Sequence, residues 1–172
     1  MKYDYAAIYN KNATFYNGHG RLKKALLLCN LLLTYLFLIA YAGLWCYAIF
    51  KDGLLVTDYA KFFFIPATSL LTVSVLRLAI DKPRPYSEKG AHIQPILRGK
   101  REQGHSFPSR HIASATAISF TFLPYLPAVG GVLLVCTLAL AYTRFAVGVH
   151  YPSDLLAGIG VGGFFGAFVF FL

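Results

Sequence analysis

The sequence predicts an all-α fold, a polytopic helical bundle built for a membrane, on three observations. Hydrophobic residues make up 57% of the 172 and charged residues only 13%. Mean hydropathy is +0.56, well above that of a water-soluble globule of this length. The uncharged runs are long enough to cross a hydrocarbon core of about 30 Å, at about 20 residues per crossing. One domain over residues 1–172 fits the length.

Taken in order, the first element is short. Tyr5, Ile8, Tyr9, Phe15 and Tyr16 fall near one face at helical spacing, with Lys2, Lys11 and asparagines elsewhere. This predicts an interfacial helix within residues 1–22, an anchor or alternatively a lid over a lateral lipid entrance. Between Lys24 and Lys51 lie 26 uncharged residues. That run is longer than the apolar core of a secretory signal and has no small-residue cleavage site, so it predicts a retained transmembrane helix.

Phe62–Ile80 predicts the second span, interrupted only by Arg77. From Arg110 to Arg144 no acid, Lys or Arg occurs for 33 residues, about 50 Å as one helix and too long for a single crossing. Pro124, Pro127, Gly130 and Gly131 are the breakers, which predicts helices at about 109–126 and 128–147 joined by a tight hairpin. A fifth span is expected over Ser153–Leu172. Its Gly158, Gly162 and Gly166 recur every four residues and form a packing face. Cys29, Cys46 and Cys136 lie in apolar helices at no metal-ligand spacing and read as small hydrophobes. There is no internal repeat and no signal for oligomeric state.

The formal net charge of +9 raises nucleic acid as a partner, but the cations flank apolar spans without a basic helix or zinc spacing. Lipid head groups are the better partner. Lys82, Arg84, Lys89, Arg98, Lys100 and Arg101 crowd one loop, and surface attraction to anionic lipid accounts for part of this. It does not account for Arg77, Arg110 and Arg144. An Arg at the centre of a membrane helix costs about 2.5–3.5 kcal/mol on insertion scales, and such residues generally face a polar cavity.

Three polar clusters follow: RLAIDKPRPY from Arg77, FPSRH over 107–111, and TRFAVGVHYPSD with Arg144, His150 and Asp154. Residues 81–107 link the second and third spans and 148–152 link the fourth and fifth, so helix parity brings all three to one side. Arg is a planar donor fork matched to phosphate oxygens, and several around one pocket suit a dianion. Ser109 and Ser153 each follow a proline and open a helix, where free N–H groups can face the same anion. One histidine can attack phosphorus while the other protonates the leaving oxygen and later activates water. Asp154, four residues after His150, can accept from its ring N–H and fix the tautomer. Singly, each residue has a plainer reading: His as a helix cap, Asp154 as a first-turn acid, Arg as a snorkelling cation. No packing account needs all of them on one membrane face.

Arg77 through Pro85, Pro108-Ser109-Arg110-His111, and Arg144 with His150 and Asp154 resemble the three-part signature of the type 2 phosphatidic acid phosphatases, roughly K-x6-R-P, P-S-G-H and S-R-x5-H-x3-D. That family shares a helical core with vanadium haloperoxidases, and the resemblance covers about residues 60–172 as a catalytic core. It implies His150 as nucleophile, Asp154 as its partner, and His111 as acid then base. Arg77, Arg84, Ser109, Arg110 and Arg144 would bind phosphate, and no metal or cofactor is implied. Three positions depart from the pattern: Arg77 replaces Lys, Arg110 replaces Gly, and Thr143 replaces Ser. Many membrane members have six spans rather than five.

The expected function is hydrolysis of a lipid phosphate or pyrophosphate, of the phosphatidic acid, phosphatidylglycerol phosphate or polyprenyl pyrophosphate type, through a phosphohistidine. The alternatives are a phosphotransferase or haloperoxidase using the same pocket, or a channel or scaffold that keeps the pocket without turnover. Lys2, Lys11, Arg21, Lys23 and Lys24 precede the first span, so the positive-inside rule places the catalytic side in the cytoplasm of a cell-membrane protein.

Overall fold

In the computed structural model of the chain, residues 5–87, 89–91, 93–97 and 105–172 are described. Lys2, Arg98, Lys100 and Arg101 lie outside them. Six α-helices follow one another: α1 (Tyr5–Gly18), α2 (Gly20–Phe50), α3 (Val56–Ile80), α4 (Arg110–Phe122), α5 (Pro127–Ala146) and α6 (Pro152–Ala167), the last continued by a 3-10 turn at Phe168–Phe170. No strand occurs among the described residues.

The breaks follow local chemistry. Gly18, His19 and Gly20 separate α1 from α2, and Gly53 at φ +83° turns the chain toward α3. Asp81 closes α3 in the left-handed region ahead of Pro83 and Pro85, which cannot continue a helix. Pro127 and Pro152 stand in the first turns of α5 and α6, where a missing N–H costs nothing.

Four helices are long and apolar enough to cross a membrane: α2, α3, α5, and α6 with its 3-10 extension. The expected count of five is not reached by length. The third expected span is α4, only 13 residues and about 20 Å, because it starts at Arg110 and ends before Pro124. It nevertheless runs the length of the bundle: past its C-terminus, Tyr125 donates to Asp58 Oδ1 (2.6 Å) in the first turn of α3, opposite the polar clusters. Nine of its 13 residues are buried, so α4 is the central helix rather than a lipid-facing one. The hairpin turns at Pro124; Gly130 and Gly131 lie inside α5.

Elsewhere apolar surface points outward. In the most apolar window of α2 only 17% of residues are buried, and Leu31, Leu32, Ile39, Val135 and Phe164 are all at least half exposed. A helix apolar on every side with its outer face uncovered has lipid as its solvent. The interior core joins Phe37 and Leu44 of α2, Phe62 of α3, Ile112 and Ile118 of α4, Leu140 of α5 and Leu155 of α6.

The glycine stripe of α6 packs as expected. A Cβ on Gly158 would lie 2.9 Å from the Ser109 carbonyl oxygen, one on Gly166 2.6 Å from Phe120 Cβ, and one on Gly162 would overlap the Ala113 carbonyl. Only glycine lets α6 lie this close against α4.

Candidate functional site

The three polar clusters converge where α3, α5 and the starts of α4 and α6 meet. Asp154, in the first turn of α6, is the hub and is fully buried. Its Oδ1 accepts from Lys82 Nζ (2.7 Å) and, more weakly, Ser153 Oγ (3.4 Å). Its Oδ2 accepts from Ser106 Oγ and from the Tyr151 backbone N–H (3.0 Å). The same oxygen faces His150 Nδ1 at 3.6 Å, slightly beyond hydrogen-bond length. Buried carboxylates are tolerated when paired in this way.

His150 is 3% exposed, in the loop between α5 and α6. Burial pushes its pKa below the ordinary histidine value; Asp154 acts in the opposite direction, while Arg84 and Arg144 reinforce the drop. The ring is therefore a neutral nucleophile at physiological pH. His111 stands one residue into α4, and Arg144, His150, Arg110 and Arg84 are close enough to act on its charge.

The arginines divide their tasks. Arg144 is 9% exposed in the last turn of α5; its Nη2 donates to Thr34 Oγ1 at 2.7 Å and its Nε is buried without a protein acceptor. Ser109 Oγ is likewise buried without a partner. Arg84 Nη1 donates to the Val149 carbonyl at 3.5 Å. Arg77, expected as a phosphate ligand, commits Nη1 to the Pro108 (3.0 Å) and Ser106 (3.4 Å) carbonyls, so this edge holds the 106–109 loop. Arg110 is exposed.

Two sequence expectations change here. The Ser109 N–H, expected to face an anion, donates to the Asp154 carbonyl (3.0 Å). Lys82, counted among cations drawn to the lipid surface, belongs to the site: besides Asp154 it contacts Ser153 Oγ (2.8 Å) and lies over the Tyr151 ring, 4.5 Å from its centroid.

Helix α1 contributes in a way periodicity did not reveal. Tyr5 OH donates to the His150 carbonyl (3.3 Å), and its ring lies 4.7 Å from that of Tyr151. Tyr9 is fully buried, donates to the Gln94 carbonyl (3.0 Å) and accepts the Ile96 N–H (3.0 Å). Burial raises the pKa of both phenols, so they remain protonated donors. Gly148, at φ +83°, admits the Tyr9 ring where a Cβ would come within 2.7 Å. Ile8 and Phe15, expected on the same face, are about half exposed. So α1 is neither a plain anchor nor visibly a lid: it buttresses the loop carrying His150.

Beside His111 opens a cleft of about 310 Å³. Arg110, His111, Ser114 and Thr34 provide its polar side; Phe37, Leu38, Leu70, Ala115, Ile118 and Leu140 make the remainder apolar. Ligand pockets are commonly of this kind, apolar with a few convergent polar groups. Among the described residues no cluster of three or more His, Cys, Asp or Glu could hold a metal.

An imidazole backed by a buried carboxylate, a second imidazole, and an Arg and a Ser with uncommitted donors at the end of an apolar helical bundle define the class: a membrane-embedded anion site equipped for nucleophilic chemistry. The chain belongs to the PAP2 superfamily, whose sequence model matches residues 58–172. It is 33% identical over 108 residues to the lipid A 1-phosphatase of Rhizobium johnstonii, covering 62% of this chain and 44% of that protein. It is 45% identical over 69 residues to the decaprenylphosphoryl-5-phosphoribose phosphatase of Mycobacterium tuberculosis, covering 37% and 35%. Each match thus spans less than half the relative's length. The fold resembles that of LpxE from Aquifex aeolicus, with a TM-score of 0.69 and 20% identity over 90% of this chain and 88% of the other. The chain is a multi-pass membrane protein of this superfamily.

Proposed function

We propose that the protein hydrolyses a lipid phosphate or pyrophosphate without a metal ion. The observation that carries this reading is the placement of His150 against buried Asp154 with His111 at the mouth of an apolar cleft. In this scheme the substrate chain lies in the cleft between α2, α3 and α4 and its phosphate sits among Arg84, Arg144 and Ser109.

The neutral His150 ring attacks phosphorus through Nε2, forming a P–N bond as the P–O bond to the lipid breaks; His111 gives its proton to the departing oxygen. His111 then takes a proton from water, which attacks the phosphohistidine, and inorganic phosphate leaves with His150 restored. Asp154 stabilises the positive charge on the His150 ring, while Lys82 and Ser106 hold Asp154. Arg84, Arg144 and the Ser109 hydroxyl meet the charge that spreads over the equatorial oxygens. We assign Arg77 Nη1 to holding the loop that presents Ser109 and His111.

The relatives act, by their names, on lipid A and on a decaprenyl-linked phosphoribose phosphate, both phosphates carried on large apolar anchors. The test is phosphate release by the purified protein in detergent, with EDTA present, from phosphatidic acid, phosphatidylglycerol phosphate and a polyprenyl pyrophosphate. Turnover of at least one is expected at a rate EDTA does not change. No release from any, or release that needs a divalent ion, contradicts the proposal.

A further inference from the structure

Arg144 reaches the site from α5, but what fixes its guanidinium comes from α2, a helix outside the residues matched by the family. Thr34 Oγ1 accepts from Arg144 Nη2 at 2.7 Å and donates its own hydrogen to the Asn30 carbonyl one turn earlier, at 2.7 Å. With that hydrogen committed, the hydroxyl presents lone pairs to Arg144 and nothing else to donate. One turn away on α2, buried Asn30 offers Oδ1 to the Thr143 hydroxyl at 3.5 Å. Two polar ties therefore join α2 to the last turn of α5, in a region where an uncommitted polar group is costly.

A long Arg side chain samples many rotamers in the open, and its planar fork binds phosphate well only when its plane is set in advance. In this structure Nη2 is held while Nε is buried with no protein acceptor. Thr34 also lines the cleft that holds His111. Resting on the reading of Arg144 as a phosphate ligand, we infer that Thr34 is a positioning residue. It orients Arg144 toward the equatorial oxygens of the transferring phosphoryl group, and thereby makes the first transmembrane helix part of the active site.

The test compares Thr34→Val, which keeps shape and removes the hydroxyl, with Thr34→Ser, which keeps the hydroxyl. Orthovanadate, a five-coordinate mimic of the transferring phosphoryl group, is the probe, with binding followed calorimetrically in detergent. Alongside it, kcat and KM are measured on whichever lipid phosphate the wild type turns over.

Losing one hydrogen bond to a charged group should weaken vanadate binding and lower kcat by about tenfold in Thr34→Val. KM should stay within about twofold, since an interaction that tightens in the transition state acts on kcat. Thr34→Ser should restore both. In an Arg144→Ala background, itself weak for vanadate, Thr34→Val should add little, because the two changes remove one interaction.

Wild-type vanadate affinity and kcat in Thr34→Val overturn the inference, as does a Ser variant as impaired as the Val variant, which would assign Thr34 to packing. Full vanadate binding by Arg144→Ala overturns the phosphate-ligand role on which it rests. A wild-type protein that neither binds vanadate nor releases phosphate overturns the phosphatase reading and this inference together.

Discussion

At the scale of single residues, the chemistry divides between two imidazoles, and each makes a separate prediction. His150→Ala removes the nucleophile and His111→Ala the proton donor; each should lower phosphate release by roughly a thousandfold or more while leaving the protein folded in detergent. With an activated leaving group the His111 variant should recover more of the phosphorylation step than the His150 variant, since a good leaving oxygen needs less protonation. Near wild-type turnover in either would contradict the mechanism. The pH profile carries the sign of the His150 shift. Burial lowers its pKa from an ordinary 6.5, so the neutral nucleophile persists as pH falls through that value and is lost only below it. The acid limb of kcat/KM, after the substrate's own titration is divided out, should therefore lie below pH 6.5; a limb above it would show a His150 stabilised as imidazolium. Arg110 makes a third prediction. It stands where the signature it resembles has glycine, and it shares the cleft mouth with His111. Arg110→Gly should weaken turnover of a pyrophosphate lipid several-fold more than that of a monophosphate, the cost of one charge-assisted contact. Equal losses on both would assign it to general positioning. The histidines, Asp154 and the arginines were legible in the sequence because charge is so rare in these helices. Lys82 and Ser106 were not: Lys82 sat in a crowd of cations that surface attraction already explained, and Ser106 falls outside the Pro-Ser-Arg-His run. What identifies them is contact with one carboxylate, which no spacing encodes.

Between elements, the decisive joint is α4 against α6, because it sets His111 and Ser109 on one helix start beside Asp154 on the other. The Ser109 N–H to Asp154 carbonyl bond (3.0 Å) ties the two starts directly, and the glycine face lets the axes approach. Gly162 is the tightest point, since a Cβ there would overlap the Ala113 carbonyl and approach Thr116 Cβ at 2.7 Å. Gly162→Leu should cost several kcal/mol by forcing the helices apart, seen as a lower melting temperature in detergent and loss of turnover. The control is Gly163→Ala, where a Cβ meets nothing within 4 Å, and it should behave as wild type. Equal behaviour of the two variants would mean that the stripe is not what holds α4 to α6. The four-residue glycine period was readable in the sequence, and so was the hairpin between the long uncharged halves, because both rest on local chemistry. The length of α4 was not. Counting apolar residues from Arg110 assumes a helix that meets lipid along its whole run, whereas this one is enclosed by its neighbours and can include Ser114, Thr116 and Ser119 with internal partners for Thr116 and Ser119. The position of α1 was misread for a related reason: Tyr5 and Tyr9 have the composition of an interfacial belt, and only tertiary contact shows that they turn inward to the catalytic loop.

At the scale of the whole molecule, the remaining variable is which way the bundle lies in its membrane. Helix α1, the loop after α3 and the loop after α5 share one end, as Tyr5 to His150 and Lys82 to Asp154 show. The turn between α2 and α3 and the hairpin at Tyr125 share the other, joined by Tyr125 and Asp58. Cations are uneven between these ends. The cations of the site serve the anion and the carboxylate, so they are discounted as topology signals; Lys11, Arg21, Lys23 and Lys24 before or at the start of α2 are independent of the chemistry, and the far turn offers Lys51 balanced by Asp52. The positive-inside rule then places α1 and the site on the cytoplasmic side. The prediction is tested by replacing Cys29, Cys46 and Cys136 and introducing single cysteines at three exposed positions, Asn10, Lys89 and Asp52. In intact cells an impermeant thiol reagent should label Asp52→Cys alone, and Asn10→Cys and Lys89→Cys should react only after the cells are opened. Labelling of Asn10→Cys and Lys89→Cys from outside, with Asp52→Cys protected, would reverse the orientation. Different behaviour of Asn10→Cys and Lys89→Cys would break the shared end itself, and with it the contact between α1 and the loop that carries His150.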